Sequence, residues 1–158
     1  MKVSGTEEFT QPGSSSTAPY IIREFNPTNI QGALLLWEQT KNIGLSDSDA
    51  PDNLEFFLER NPGLSYIAVT AGEVVGTILC GHDGRRGYIY HLAVNSEYRR
   101  AGIGRVLLSK SLEALKENGI LKCHAFVFRE NPYGELFWGA GGWQPRNDLL
   151  TYSKFIEK

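Results

Sequence analysis

Residues 91–108 read HLAVNSEYRRAGIGRVLL. The first four residues have the composition of a buried strand, and from Gly102 onward the apolar side chains take helical spacing. An arginine- and glycine-rich loop joins the two. Glycine lets backbone N–H groups approach a ligand without a Cβ atom in the way, and a helix start adds unsatisfied donors and the positive end of a dipole. The segment therefore favours binding of phosphate oxygens.

Two common phosphate-binding loops do not fit this segment. The lysine and the Ser/Thr of the P-loop are missing. The dinucleotide fingerprint needs a third glycine where this chain has Leu107, and its glycines follow the strand at once. Here Gly102 lies eight positions after Val94. The loop is therefore of another kind.

The charge distribution indicates a small anionic ligand. The 158 residues carry 16 basic and 18 acidic side chains, a formal net charge of −2. Residues 85–105 hold five arginines against Glu97 alone, a local charge of +4. Because a nucleic-acid surface needs a broad basic face, this short block favours a small polyanion and predicts no nucleic-acid partner.

Length and composition fit one globular domain with a tail. The chain has 41% hydrophobic and 22% charged residues, and it contains no apolar run near the roughly 20 residues that cross a bilayer, so no membrane partner is expected. Residues 1–19 are polar and predict a flexible N-terminal tail, whereas residues 20–158 predict a single domain. The cysteines, Cys80 and Cys123, lie in apolar runs and are interpreted as reduced thiols of a cytoplasmic protein.

Hydrophobic periodicity predicts an α/β chain, which some schemes class as α+β. Strands are predicted at 20–25, 65–71, 74–81, 88–94 and 120–128, with closing strands at Trp143 and 149–155. Helices are predicted at 28–41, from the residue after Asp49 or Ala50 to residue 60, at 102–118, and from Asn131-Pro132 to the break at Gly141-Gly142. No internal repeat is present.

The full pattern resembles a known family. Arg99-x-x-Gly102-x-Gly104, set after the strand 91–94, is similar to the pyrophosphate-binding motif of the GNAT superfamily, the CoA-dependent N-acetyltransferases. The likeness covers residues 20–156 and is greatest to short single-domain bacterial members. It implies the GNAT-like acyl-CoA N-acyltransferase fold, a mixed, mostly antiparallel central sheet flanked by helices. It also implies transfer of the acetyl group of acetyl-CoA, the co-substrate, to a primary amine by direct attack in a ternary complex.

The resemblance further implies where acetyl-CoA binds. The pyrophosphate would lie on the loop and helix start, and the strand end would pair with the pantetheine arm, with the N–H near Val94 facing the thioester oxygen. Asn131 matches a position that contacts the pantetheine arm, and capping of the next helix explains it equally well. The implied cofactor-binding residues are Leu92, Ala93, Val94, Arg99, Arg100, Ala101, Gly102, Ile103, Gly104, Arg105, Asn131 and Phe137. Phe137 belongs to a helical stripe with Tyr133, Leu136 and Ala140, interpreted as core or as a wall of the pantetheine site.

The catalytic residues depart from the family's pattern. Many members place an acidic tyrosine late in the last helix, where this chain has Trp138, whose indole cannot act as a general acid near neutral pH. Some relatives carry a glutamate base on the strand, where this chain has Tyr88. The catalytic candidates that remain are Tyr90, Glu135 and Tyr133. Strand alternation puts Tyr90 and His91 on opposite faces, so His91 is expected to pack or hydrogen-bond away from the reaction.

The acceptor and one rival function stay open. In this fold the first two helices and their connection shape the acceptor site, and here the connection carries Asp47, Asp49 and Asp52. These carboxylates fit attraction of a cationic amine and, equally, capping and solvation of a loop. They do not match a calcium loop, and no metal site is predicted. Trp138 and the missing glutamate favour the alternative of a non-catalytic CoA-binding regulatory module, and the sequence leaves both the acceptor and a homodimer undecided.

Overall fold

A computed structural model describes residues 7–9 and 19–157 of the chain. Its strands are β1 (Glu7–Phe9), β2 (Tyr20–Glu24), β3 (Tyr66–Thr70), β4 (Glu73–His82), β5 (Gly87–Val94) and β6 (Cys123–Ala125). Its helices are α1 (Ile30–Glu38), α2 (Pro51–Arg60), α3 (Ile103–Glu117) and α4 (Pro132–Ala140). Single 3₁₀ turns lie at Pro27–Asn29, Asp47–Asp49 and Ser96–Tyr98. The order from β2 to α4 confirms the predicted order.

The strands form one sheet in the order β1-β2-β3-β4-β5-β6. Neighbours are antiparallel from β1 to β5, and β5 and β6 are parallel. This confirms the predicted fold class, a mixed and mostly antiparallel sheet flanked by helices. The sequence predicts no strand before Tyr20, so β1 departs from that prediction, and residues 1–6 and 10–18 of the predicted tail lie outside the described part of the chain.

One face of the sheet is covered by α1 and α2. The Asn26 side chain accepts a hydrogen bond from the N–H of Thr28 and caps the turn before α1, and Pro51 starts α2 where no N–H is required. Trp37 of α1 is 1% exposed and lies at the centre of the packing. The buried cluster that joins both helices to the sheet comprises Phe25, Ile30, Ala33, Leu36, Trp37, Leu54, Leu58, Ile67, Val69, Leu79 and Ala93.

The opposite face of the sheet carries α3. An added Cβ at Gly76 of β4 would lie 2.9 Å from Cγ2 of Ile103, so the start of the helix touches the strand backbone directly. The next residue, Thr77, contacts Trp37 of α1, and successive strand residues point to opposite faces. The predicted apolar stripe of α3 is confirmed, because Leu107 and its helical neighbours are buried. The packing of α3 therefore fixes the position of the loop before it.

A bulge interrupts β5 at His91. Leu79 of β4 pairs with Tyr90, whereas Thr77, two residues earlier, pairs with Ala93, three residues later. Thus β5 contains one residue more than β4 between the two pairs. His91 takes a φ of 46°, in the left-handed region that non-glycine residues rarely enter.

The bulge overturns the predicted alternation. Tyr90 packs edge-on against Phe57 of α2, with ring centroids 6.2 Å apart. The His91 ring lies 4.6 Å from that of Trp37 on α1. Both side chains therefore face the helices α1 and α2, and the prediction that they lie on opposite faces is wrong. The extra residue cancels one step of the alternation.

Strands β5 and β6 diverge soon after they meet. Their pairing begins at Gly87 with Cys123 and ends at Ile89 with Ala125. The predicted strand 120–128 is therefore longer than the observed one, because a strand persists only where a neighbour supplies ladder hydrogen bonds. From Tyr90 to Val94, β5 continues without a register partner on β6 in the described chain.

The predicted closing strands are absent from the described C-terminal residues. Residues 141–157 contain no strand, and their large apolar side chains are open to solvent, with Leu150 77% and Ile156 95% exposed. Alternating apolar residues favour a strand, but a strand also needs a hydrogen-bonding neighbour, and residues 127–157 contain no other strand that could pair with them.

The chain divides into two compact units, one up to Phe126 and one from Val127 onward. The first contains the sheet and α1 to α3, and the second contains α4. The single-domain interpretation of residues 20–158 stays a prediction. None of the described helices has both the length and the apolar character needed to span a bilayer.

Both cysteines are free thiols with suppressed ionisation. Burial raises the pKa of Cys80 to about 12 and that of Cys123 to about 11. An ordinary thiol has a pKa near 8.5, so at pH 8 the thiolate fraction falls from about a quarter to roughly 10⁻³ or less. We expect iodoacetamide at pH 8 to modify both cysteines at least ~100-fold more slowly in the folded than in the urea-unfolded protein. Mass spectrometry of timed samples measures the rates, and equal rates would contradict the prediction.

Candidate functional site

Two left-handed residues shape the loop between β5 and α3. Arg100 has a φ of 67° and Gly102 a φ of 80°. Before them, the Asn95 side chain accepts from the N–H of Glu97 and caps the 3₁₀ turn. Helix α3 then begins at Ile103 with no side-chain cap, so its first N–H groups remain directed at the loop opening. Such a helix start is suited to an anion.

Buried side chains anchor the loop while its arginines stay outside. Ala101 and Ile103 are buried. Arg99, Arg100 and Arg105 are exposed. The loop therefore combines uncapped backbone donors with exposed guanidinium groups, and guanidinium recognises phosphate through paired, charge-assisted hydrogen bonds.

The structure brings ten of the twelve predicted cofactor residues into one continuous feature. They are Leu92, Ala93 and Val94 at the end of β5 and Arg99, Arg100, Ala101, Gly102, Ile103, Gly104 and Arg105 in the loop and helix start. Ala93 is buried in the cluster below α1, so the side chain packs while the backbone borders the divergence of β5 from β6. An extended ligand on that side would meet the strand backbone first and the start of α3 next.

A largely buried polar cluster surrounds His91. Its Nε2 lies 2.6 Å from Oδ1 of Asp49, with the two side chains only 15% and 11% exposed. The other carboxylate oxygen of Asp49 accepts from the N–H of Ser46 at 2.9 Å. Thr77 Oγ1 accepts from the indole N–H of Trp37 and donates to the carbonyl of His91, both at 2.8 Å. These bonds tie the bulge to α1 and to the turn before α2.

Aromatic rings line the same side of the divergence. The Phe126 ring stacks at 6.2 Å on Tyr90 and at 6.4 Å on Tyr88. Tyr90 is 38% exposed, so it is within reach of a ligand. Burial, and to a lesser degree the neighbouring Tyr88 and Cys123, raises the pKa of Tyr90. Its phenol stays protonated at neutral pH, which suits a hydrogen-bond donor and disfavours the role of base.

In the second unit, Asn131 caps α4. Its side-chain oxygen accepts from the N–H of Gly134 at 3.0 Å, which is the capping role that the sequence also allows. Phe137 lies edge-on to Trp138 at 5.3 Å, and Trp138 meets Trp143 at 4.6 Å. The indole at the expected tyrosine position is thus held in an aromatic group.

The other two catalytic candidates lie on the surface of α4. Tyr133 is 73% exposed, and Glu135 is exposed as well. Leu136 and Ala140 of the same stripe are also exposed, whereas Phe137 is partly buried, and the interpretation of the stripe as core or as a wall of the pantetheine site stays a prediction.

Sequence reasoning missed the pairing of Asp49 with His91. Asp49 was visible as one of three aspartates between the predicted helices, and His91 as a strand residue. The two are 42 positions apart. Only the bulge, which no glycine marks, aims the His91 ring at that turn.

The family model described as "Acetyltransferase (GNAT) family" matches residues 31–138 of the chain. An acetyltransferase of Sodalis glossinidius is 34% identical over 110 residues, 70% of this chain and 77% of the relative. One of Photorhabdus laumondii is 35% identical over 112 residues, covering 70% and 76%. The matched span includes the bulge, the loop and most of α4.

Solved structures share the fold at lower identity. Ard1 from Thermoplasma volcanium has a TM-score of 0.69 at 22% identity, covering 78% of this chain and 81% of that one. The PaiA N-acetyltransferase of Thermoplasma acidophilum, solved in complex with coenzyme A, has a TM-score of 0.66 at 20% identity, covering 77% and 87%. AAC(6')-Iy, solved in complex with the bisubstrate analogue CoA-S-monomethyl-acetylneamine, has a TM-score of 0.69 at 19% identity, covering 87% and 99%.

Proposed function

Because the chain belongs to the GNAT acetyltransferase family, we propose that its donor is acetyl-CoA and its acceptor a primary amine, joined by direct attack in a ternary complex. Acetyl transfer itself follows from the family and its relatives. The observation that carries the proposal is the loop and first turn of α3 (residues 99–105), here called the cradle, where the left-handed residues Arg100 and Gly102 precede an uncapped helix start among exposed arginines.

We assign the parts of acetyl-CoA to the described residues by their chemistry. The pyrophosphate takes the N–H groups and arginines of residues 99–105. The pantetheine arm runs along the backbone of residues 92–94, where β5 has left β6. The N–H near Val94 stabilises the oxyanion that forms as the amine adds to the thioester carbonyl. In the second unit, Asn131 and Phe137 are the proposed further contacts of the arm.

Three side chains are proposed to assist the reaction. Tyr90 donates a hydrogen bond to the developing negative charge, in keeping with its raised pKa. Tyr133 is a candidate proton donor to the CoA thiolate in place of the tyrosine that Trp138 replaces. Glu135, an exposed carboxylate on the same helix, is a candidate proton acceptor.

The cradle predicts that a single methyl group at residue 102 weakens acetyl-CoA binding. In Gly102→Ala, the new Cβ would stand where the backbone meets the phosphates, so we expect the dissociation constant to rise at least ~10-fold. Thermal unfolding with increasing acetyl-CoA measures it, since ligand at 100 times its dissociation constant stabilises by about 2.7 kcal/mol.

Gly72→Ala is the matched control for this experiment. Gly72 has a φ of 78°, close to the 80° of Gly102, so alanine meets the same backbone strain, and an added Cβ there would touch nothing within 4 Å. The control should lose stability equally and keep the full stabilisation by acetyl-CoA. A wild type that does not respond to millimolar acetyl-CoA, or a Gly102→Ala protein that responds as the control does, would overturn the proposed cradle.

We also propose a cytoplasmic location. Two free thiols, one of them buried, suit a reducing compartment. Fractionation of the source cells followed by immunodetection tests it, and recovery from an extracytoplasmic fraction would contradict it.

A further inference from the structure

We propose that His91, in preference to the candidate Glu135, is the base that takes a proton from the attacking amine, with Asp49 as the residue that positions its ring. The inference rests on the proposed function, because it names the group that makes the acceptor nucleophilic. An amine acceptor is mostly an ammonium ion at neutral pH, and only the neutral amine has the electron pair needed for attack.

The hydrogen bonds of the pair fix which nitrogen of His91 carries the proton. Both oxygens of Asp49 are engaged, Oδ2 by the N–H of Ser46 and Oδ1 by Nε2 of His91 at 2.6 Å. A carboxylate only accepts, so Nε2 must carry the hydrogen. The neutral ring therefore has its lone pair on Nδ1. A base held in one tautomer by a carboxylate is the arrangement that serves nucleophile activation in other enzymes.

The second ring nitrogen of His91, Nδ1, is not fully enclosed by the protein. All fully enclosed side-chain nitrogen and oxygen atoms in the described part of the chain have hydrogen-bond partners. Nδ1 of His91 has no such partner among those residues, so it is not enclosed. The Nδ1 lone pair of this largely buried ring is thus not sealed off from solvent, which the proposed proton transfer requires.

The bulge places His91 on the strand that carries the proposed thioester site. His91 lies three residues before Val94, and a strand advances about 3.3 Å per residue, so the two backbones are at most about 10 Å apart along the strand, a distance that the imidazole and the acceptor amine, or one bridging water, can span. The His91 ring faces α1 and α2, whose connection shapes the acceptor side, and not α3, which bears the phosphate cradle. Donor and acceptor would therefore meet at His91 from different sides.

The surroundings of the ring hold it rigidly and favour the charged product. Asp49 contacts the ring from the turn before α2, and Trp37 contacts it from α1. Thr77 of β4 is hydrogen-bonded to the backbone carbonyl of His91. Asp49 is the one ionisable residue of these three. The imidazolium formed by proton transfer would pair with the carboxylate and lie 4.6 Å from the indole ring, where a cation–π contact stabilises it.

The proposed reaction transfers two protons from the acceptor nitrogen and replaces the C–S bond by an N–C bond. The acceptor ammonium gives one proton to Nδ1 of His91, which later releases it to solvent. The freed electron pair forms the N–C bond, and the C–S bond breaks with its pair passing to sulfur. A second proton, from the acylated nitrogen, goes to the thiolate, so the products are the amide and CoA.

The test compares His91→Asn, Asp49→Asn and the double variant with wild type. Asparagine tolerates the left-handed backbone at residue 91, so this change adds no strain. Initial rates are measured with saturating acetyl-CoA on a panel of alkylamines, polyamines, aminoglycosides and peptides with a free amino terminus, continuing with the best acceptor. His82→Asn, a histidine outside the cluster, is the control and should match wild type.

We expect each single variant to lose about 10²- to 10³-fold in kcat/KM at pH 7, with unchanged acetyl-CoA binding. The deficit should shrink about tenfold per pH unit above neutrality, because solvent then supplies the neutral amine. The double variant should be no worse than either single one, since the two residues act as a unit. A purely structural role would give a deficit that does not vary with pH.

Two kinds of result would overturn the two proposals separately. Active variants, or a deficit independent of pH, would overturn the role of the pair while leaving the proposed function intact. A wild type that binds acetyl-CoA and acetylates no member of the panel would overturn the proposed function and, with it, the base.

Discussion

Thr77→Val is expected to lower the free energy of unfolding by about 3 kcal/mol, although the two side chains have nearly the same shape. Thr77 is fully buried, and its hydroxyl accepts from Trp37 Nε1 and donates to the carbonyl of His91. Valine would leave a buried indole N–H and a carbonyl without partners, and each orphaned group costs about 1–3 kcal/mol. Urea denaturation followed by tryptophan fluorescence measures the change.

The same substitution should also slow acetyl transfer. The carbonyl that Thr77 holds belongs to the residue with the left-handed φ, so losing the bond frees the bulge that aims the His91 ring. We expect kcat to fall about tenfold, because catalysis depends on a fixed geometry of the reacting groups. Thr77→Ser keeps both hydrogen bonds and should lose only about 1 kcal/mol, for the missing methyl group. Equal stability of the valine and serine variants would contradict the argument.

A second large loss is expected for Gly76→Val. A Cβ at residue 76 would lie 2.9 Å from Cγ2 of Ile103 and 3.2 Å from Cβ of Ala68. Neither atom can rotate away, since one belongs to a β-branched, buried side chain and the other is fixed to a strand backbone. The first turn of α3 must therefore move off the sheet, and overpacking of this kind costs about 1–3 kcal/mol.

This displacement should weaken acetyl-CoA binding together with stability. Ile103 is the first residue of α3, and the arginine loop runs directly into it. We expect Gly76→Val to raise the dissociation constant of acetyl-CoA at least ~10-fold, because donors that have moved no longer converge on one anion. Gly139→Val is the control, since an added Cβ there meets nothing within 4 Å. Calorimetric titration at a temperature where both variants are folded gives the dissociation constants. Unchanged acetyl-CoA binding in a destabilised Gly76→Val protein would contradict the claim that the position of α3 determines binding at the cradle.

Local signals in the sequence were sufficient for most elements. Pro51 marks the start of α2, and the helix predicted at 102–118 is observed at Ile103–Glu117. These boundaries depend on caps and on side-chain spacing within a few residues, which a sequence displays directly. The interpretation of residues 99–105 as a phosphate-binding loop depended on local signals of the same kind.

Features that depend on distant partners could not be predicted in this way. The left-handed φ of His91 is imposed by the register with β4 and by the bond from Thr77, and neither leaves a glycine as a marker. The Asp49–His91 pair needs that bulge before it can form. The expected strand at 149–155 illustrates the converse, since its alternation is present but its pairing edge is not.

The strands lie side by side in the sheet in the same order in which they occur in the sequence, which is also the order of their synthesis. Apart from the insertion of α1 and α2 between β2 and β3, each antiparallel pair joins segments that are close in the chain, which favours rapid, stepwise folding. On a ribosome we therefore expect strands β2 to β5, and with them the Asp49–His91 contact, to form before the α3 segment that follows residues 99–105 has emerged, and the parallel crossover through α3 to β6 to form afterwards. We expect the side proposed for the acceptor to form before the loop proposed to bind acetyl-CoA, so newly made chains would pass through a stage in which the antiparallel strands are paired but acetyl-CoA cannot be bound.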